Sequence, residues 1–261
     1  RSAFDARPPG LAPPTQFDGS RAPRYCDHAR RSTPGAGPRA VLGQVIDVEG
    51  SPATVALPDA PGRNLAVLGA SAGDALAVLG AATMSVVADG DAVILAPLVA
   101  DATDVAAAVA AHLPGEVDTI GIRDVRARVE ELAAEVTARL AGGPRSPLYL
   151  VLFAADAADH VLDRPGTEAL RRVLHFGPET GVHVLGWWRS VARLKTLLTL
   201  GAAPDDVGAW VALDVQGAEL GALGTGAVAW APRPGRGLFF DRTQHARPQV
   251  VIVPELDRGT P

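Results

Sequence analysis

A short apolar run, Asn64–Leu68, passes through Gly69-Ala70-Ser71-Ala72-Gly73-Asp74-Ala75 into a second apolar stretch from Leu76 to Val87. Strand, glycine turn and helix in that order belong to an α/β sheet whose strands are covered on both faces. The same order hosts the phosphate loop G-x-x-x-x-G-K-[ST]. Its amides cradle phosphate, its lysine reaches the β/γ-phosphates and its hydroxyl holds Mg²⁺. Here the loop is one residue short. With Gly73 as its last glycine, Asp74 takes the lysine position and Ala75 the hydroxyl position. The sole lysine of the chain, Lys195, lies far downstream. A carboxylate at that place repels a triphosphate, so the segment reads as an ATPase scaffold stripped of its chemistry. Its plainer reading is a connecting turn in which Gly73 and Asp74 form the helix entry and N-cap.

Composition narrows the function classes. An apolar fraction of 48% over 261 residues supports a real core. The net charge of −5 is not the footprint of a nucleic-acid binder. One cysteine, Cys26, excludes an intramolecular disulfide framework and fits a reducing compartment. The histidines lack metal-ligand spacing. No run of 18 apolar residues occurs and the chain does not open on Met, so it is expected to be a soluble piece of a longer protein. Abundant Ala and 23 Arg to one Lys fit a GC-rich, actinobacterial-like genome.

Residues 1–40 hold seven Pro, four Gly and seven Arg against three Asp, without apolar periodicity, and read as a linker or arm. Residues 41–261 read as one domain. Val41–Asp47 and Ala53–Leu57 alternate like a hairpin joined by Glu49-Gly50-Ser51-Pro52. Strands are expected at 64–68, 92–98, 119–122, 148–153, 182–188 and 209–213, with helices at 73–87, 101–113, 125–140, 166–176 and 191–200. An Asp or Thr cap is expected on the second helix. Further strands follow at 227–230, 237–240 and 250–253. Strands alternating with helices predict a mostly parallel, doubly wound α/β sheet, with the Gly69 loop at a carboxyl strand end where such sheets bind ligands.

Four stretches carry a family resemblance: the early hairpin, "GRNLAVLGAS" at 62–71, "YLVLFAADAADHV" at 149–161 and "GVHVLGWWRS" at 181–190. With the closing "GTGAVAWAPRPGRGLFFDR" at 224–242, their order resembles the FtsK/SpoIIIE family over about residues 40–255. The nearest likeness is to degenerate C-terminal ATPase modules of the type VII secretion motor. The resemblance implies a RecA-like P-loop NTPase fold. It also implies a membrane-anchored parent with this part on the cytoplasmic side, and sister ATPase domains or a protein segment as partners. This chain departs from the family at its catalytic positions. The strand that should end in two acids runs into Ala154-Ala155-Asp156-Ala157, leaving Asp156 as one candidate. Where active translocases carry Thr-Gln-Arg-Pro, this chain has Trp187-Trp188-Arg189-Ser190, and Arg189 matches type VII modules.

The expected nucleotide site is therefore degenerate: Gly69, Ala70, Ser71, Ala72, Gly73, Asp74, Ala75 and Asp156, with ATP and Mg²⁺ held residually at most and no catalytic residue assigned. Trp187 and Trp188 point to opposite faces of their strand. One is expected in the core, while the other, with Arg189, Leu194 and Leu197, offers an apolar anchor for a partner. Without the arm, 17 basic residues face 26 acidic ones, and this net −9 argues against duplex DNA as partner. Two other readings compete. One is an active DNA-translocating ATPase, which wants the missing Lys-Ser pair and Gln. The other is an α/β-hydrolase on Gly69-x-Ser71-x-Gly73, with Asp214 or Asp241 and His245 completing a triad.

Overall fold

The computed structural model describes residues 22–25, 39–47, 49–198, 205–226 and 228–256. The hairpin is formed by β1 (Arg39–Val45) and β2 (Pro52–Ala56), which pair antiparallel. Then come β3 (Leu65–Leu68), α1 (Ala72–Val86), β4 (Ala92–Pro97), α2 (Thr103–His112) and β5 (Val117–Thr119). The chain continues through α3 (Val125–Leu140), β6 (Leu148–Phe153), α4 (Arg164–Phe176), β7 (Val182–Trp188) and α5 (Val191–Leu198). It closes with β8 (Ala209–Ala212), α6 (Gly217–Leu220), β9 (Arg236–Asp241) and β10 (Gln249–Ile252).

The strands form one sheet of ten, ordered β2-β1-β10-β9-β8-β3-β7-β6-β4-β5. From β8 to β5 every neighbour is parallel, and from β8 to β2 every neighbour is antiparallel. The predicted doubly wound α/β sheet is thus present, with an antiparallel wing added to one side. β3, β6, β7 and β8 are buried along their whole length. Their unbroken apolar runs follow from this, because alternate side chains enter two different layers. Leu65, Val67 and Trp187 pack with Leu76 and Leu79 of α1, whereas Ala66, Leu68 and Trp188 pack with Leu132, Val173 and Leu194 on the α3–α5 side.

Polar side chains fix the amino edge of the parallel strands. Asn64 is fully buried; its amide donates to Leu174 O (2.8 Å) and Asp206 O (2.7 Å), and its oxygen accepts from Val184 N (2.8 Å). Arg139 is only 6% exposed, so the polar face expected of α3 folds one guanidinium inward. Its Nη1 bonds Ser146 O (2.6 Å) and Thr180 O (2.9 Å), holding the starts of β6 and β7 together.

Several boundaries differ from expectation. The strand expected at 119–122 is β5 at Val117–Thr119, a short edge strand whose partly exposed side chains give little apolar signal. α2 has Ala102 as its N-cap, with no side-chain bond, because a 3₁₀ turn at Ala100–Ala102 leads the chain in. Residues 228–230 are not a strand; Trp230 O accepts from Gly217 N (3.1 Å), so this stretch lies along α6 rather than in the sheet. Cys26, His28 and Ala227, the last two residues of the helix expected at 191–200, and most of the arm lie outside the described residues. No helix among the described residues is long and apolar enough to cross a membrane.

Candidate functional site

The site is built at the carboxyl ends of β3, β6, β7 and β8. β3 lies between β7 and β8, with Leu68 in register with Trp188 and Ala212. Gly69 leaves this strand with φ 129°, a backbone that only glycine adopts freely. It is pinned from several sides: its N–H donates to Trp188 O (3.0 Å), and its carbonyl accepts from Trp187 Nε1 (2.7 Å). A Cβ there would collide with the Asp214 carboxylate.

Only Ala70 and Ser71 then separate Gly69 from α1. Ser71 is the N-cap, without a side-chain bond, and Ala75 N already donates to Ser71 O (3.0 Å). Ala72, Gly73 and Asp74 therefore form the first helical turn. The expected entry and cap at Gly73 and Asp74 lie too late in the chain, because the apolar helix period extends back to Ala72. The span from first to last glycine, Gly69 to Gly73, is one residue shorter than in the intact phosphate loop. Asp74, at the lysine position, accepts from Gly235 N (3.4 Å) in the turn before β9. Gly235 was not a sequence candidate, and nothing local announces its contact with a residue 161 positions away.

At the end of β6 the chain turns through Ala154, a non-glycine residue with φ 62° and ψ 60°. This turn brings Asp156 back beneath the end of β7. Its side chain is 4% exposed, and Arg189 satisfies both oxygens: the Arg189 amide donates to Oδ1 (3.2 Å) and Nε to Oδ2 (2.8 Å). Alongside, Arg193 Nη1 bonds Asp159 Oδ2 (3.2 Å). Burial pushes the Asp159 carboxyl above its ordinary value, with Arg193 opposing the shift. The sequence did carry a trace of this ladder, since Asp156 and Asp159 are three apart and Arg189 and Arg193 four apart.

A Mg-nucleotide does not fit these residues. Mg²⁺ takes open carboxylate oxygens in near-octahedral order, whereas those of Asp156 are already committed to Arg189. Asp214, which follows β8 and lies against Gly69, brings an acid to the loop where phosphate needs cations. Among the described residues no group of three or more His, Cys, Asp or Glu is placed to hold a metal ion.

The anchor expected at 187–197 is corrected by the structure. Trp187 and Trp188 are each 2% exposed, Leu194 is 0% and Leu197 8%. Layers on both sheet faces take one indole each, so neither ring is left for a partner. Arg189 is 47% exposed but spends its Nε on Asp156.

The triad reading fails on topology. Asp241 pairs with Ala209, which pairs with Leu65, at the start of β3, while Ser71 lies beyond the end of that strand at Leu68. Three residues of strand, ~10 Å, plus the loop separate them. Asp241 is instead fully buried and bound to Arg63, with Nη1–Oδ1 2.9 Å and Nη2–Oδ2 3.0 Å. His245 Nδ1 accepts from Asp241 N (3.0 Å). The other triad acid, Asp214, sits against Gly69, far from that histidine.

Comparison with solved structures matches this arrangement over nearly the whole chain. The cytoplasmic domain of EssC is similar with TM-score 0.64 and 12% identity, over 90% of this chain and 46% of that one. The cytoplasmic domain of the Thermomonospora curvata type VII secretion ATPase EccC is similar with TM-score 0.63 and 18% identity, over 95% and 29%. The fold is that of these secretion ATPase domains. The pCW3 conjugation coupling protein TcpA, in its monomer form with ATPγS, is similar with TM-score 0.61 and 12% identity, over 91% of this chain and 70% of that one. The chain spans less than half the length of either of these two solved cytoplasmic domains. Neither a protein-family model nor a curated protein matches the sequence.

Proposed function

We propose that this chain is a catalytically inactive FtsK/SpoIIIE-type module of a multi-domain translocation or secretion motor. It works by docking against sister ATPase domains or a protein segment, with nucleotide binding residual at most. One observation carries the reading: the candidate acid after β6, Asp156, is closed by Arg189. The aspartate at the lysine position points the same way. The module would comprise residues 41–261 with 1–40 as its linking arm, on the cytoplasmic side of a membrane-anchored parent.

The partner class is supported by the company the fold keeps. Two similar structures are described as ATPases 2 and 3 of EccC and EssC, the first in complex with a signal sequence peptide. The rival reading, an active DNA translocase, draws on the likeness to a conjugation coupling protein. The charge of residues 41–261 opposes it, because duplex binding depends on clustered Lys and Arg releasing counterions.

The test is phosphate release with saturating Mg-ATP. The expected rate equals that of buffer alone. Turnover on the order of 1 s⁻¹ that disappears in Asp156→Ala overturns the inactive reading. Salt-sensitive binding of duplex DNA near micromolar by residues 41–261 overturns the partner class.

A further inference from the structure

Beyond β10 the chain leaves the sheet and crosses the outer side of the α1–α2 layer. Val253 N still reaches Gly235 O (3.1 Å). Leu256 then lies over Gly80 of α1: a Cβ on Gly80 would meet Leu256 Cδ1 at 2.9 Å and Val109 Cγ2 of α2 at 3.3 Å. Glycine is unfavourable inside a helix, and here its missing side chain leaves the space between α1 and α2 that seats the tail.

The tail is itself paired on its other side. Tyr25 N donates to Glu255 O (3.0 Å), and Glu255 N donates to Pro23 O (2.8 Å). Arg24 and Glu255 form an isolated parallel bridge, so both bonds go to the residues flanking Arg24. That is the spacing of a parallel strand pair. Pro23 and Pro254 hold Ala22 and Val253 extended, because the residue before proline is kept out of the helical region. Tyr25 is half-buried, and burial raises its hydroxyl above its ordinary value. Main-chain pairing of this kind recognises an extended backbone whatever its sequence, with a side chain adding selectivity.

We infer that the tail at 253–256, seated on α1 and α2 through Gly80, is a docking edge for an extended polypeptide, occupied here in cis by residues 23–25 of the chain's own arm. The inference rests on the tail's geometry alone and is independent of the state of the nucleotide site.

Amide hydrogen exchange on the full chain tests it. The Tyr25 and Glu255 amides should exchange at least about tenfold more slowly than unstructured amides; intrinsic rates at Glu255 overturn the inference. Tyr25→Pro removes one donor and the ring, and should speed Glu255 exchange about tenfold while leaving Leu150 of β6 protected. A synthetic peptide of residues 20–30 should then bind this variant saturably, and bind the unmodified chain far more weakly. Absence of saturable binding to the variant overturns the docking edge. Should Tyr25→Pro unfold, seen as lost protection at Leu150, the same comparison is made in Tyr25→Ala, which keeps the backbone donor.

Discussion

Arg189 closes both oxygens of Asp156, one through its backbone amide at 3.2 Å and one through Nε at 2.8 Å. A carboxylate that is 4% exposed needs such partners, because a buried charge left unpaired is costly. The pair joins the ends of β6 and β7.

Arg189→Ala should therefore destabilise the fold by about 1–2 kcal/mol, below the range for a fully buried pair because Arg189 is 47% exposed. Asp156→Asn should cost less, since its side-chain oxygen can still accept from the Arg189 amide. Urea midpoints of the single and double variants, combined as a cycle, measure the coupling. Additive losses would show that the pair contributes nothing.

Restoring the missing loop chemistry should fail by substitution alone. Asp74→Lys with Ala75→Ser supplies a cation and a hydroxyl, but helix α1 already begins at Ala72, and the lysine would lose the Gly235 contact. Calorimetry with Mg-ATP should show no gain above about threefold, less than the ~1.4 kcal/mol of a tenfold step. A gain of a hundredfold would mean that the two-residue connection opens into a phosphate cradle.

Ala154 sits at φ 62° with a Cβ, a conformation that costs about 1–2 kcal/mol. Ala154→Gly relieves that strain and gives up one buried methyl, worth about 0.8 kcal/mol. The expected net effect is between neutral and about 1 kcal/mol more stable. Ala154→Val should lose more than ~2 kcal/mol, because branching is poorly tolerated at positive φ. Thermal or urea unfolding separates these, and a destabilised glycine variant would contradict the strain argument.

Stability should fall on both sides of neutrality. Burial holds the His183 ring below its ordinary 6.5, opposed by its bond to Arg63 O and by Asp59, and favoured by the Arg63 charge. The unfolded chain then takes up the proton first as pH drops below 6.5, and stability is lost until the depressed folded value is reached. His245, lowered by burial too, adds to this limb. Asp241 acts further down: burial alone would raise it, but Arg63 and Thr243 outweigh that, so its contribution is lost below 3.8. On the alkaline side burial pushes Tyr149 up to about 12 from 10.0, and stability falls as pH rises past the lower figure. Urea midpoints between about pH 7 and pH 5 should decline, and His183→Gln should flatten that slope. An unchanged slope in the variant would remove His183 as a cause.

Most of the fold was legible in the chain because the signals are local. A 3.6 period over Val125–Leu140 and unbroken apolar runs at Leu148–Phe153 and Val182–Trp188 gave those elements to the residue. β5 and the stretch at 228–230 were misread because an exposed edge strand and an extended loop leave the same weak pattern. For the site, Asp74 and Ala75 in place of lysine and hydroxyl were visible directly, since a loop motif is read from consecutive residues.

What the sequence by itself determined is thus the alternation of strands and helices and the absence of a cation in the glycine loop. Tertiary structure alone decided which polar groups meet: Asp156 with Arg189 across 33 positions, Arg63 with Asp241 across 178, and Asp74 with the Gly235 amide across 161. It also decided that both tryptophans of β7 are core, one in each layer. The physical reason is that periodicity records which face of an element is apolar, whereas a polar partner depends on which strand ends the topology sets side by side.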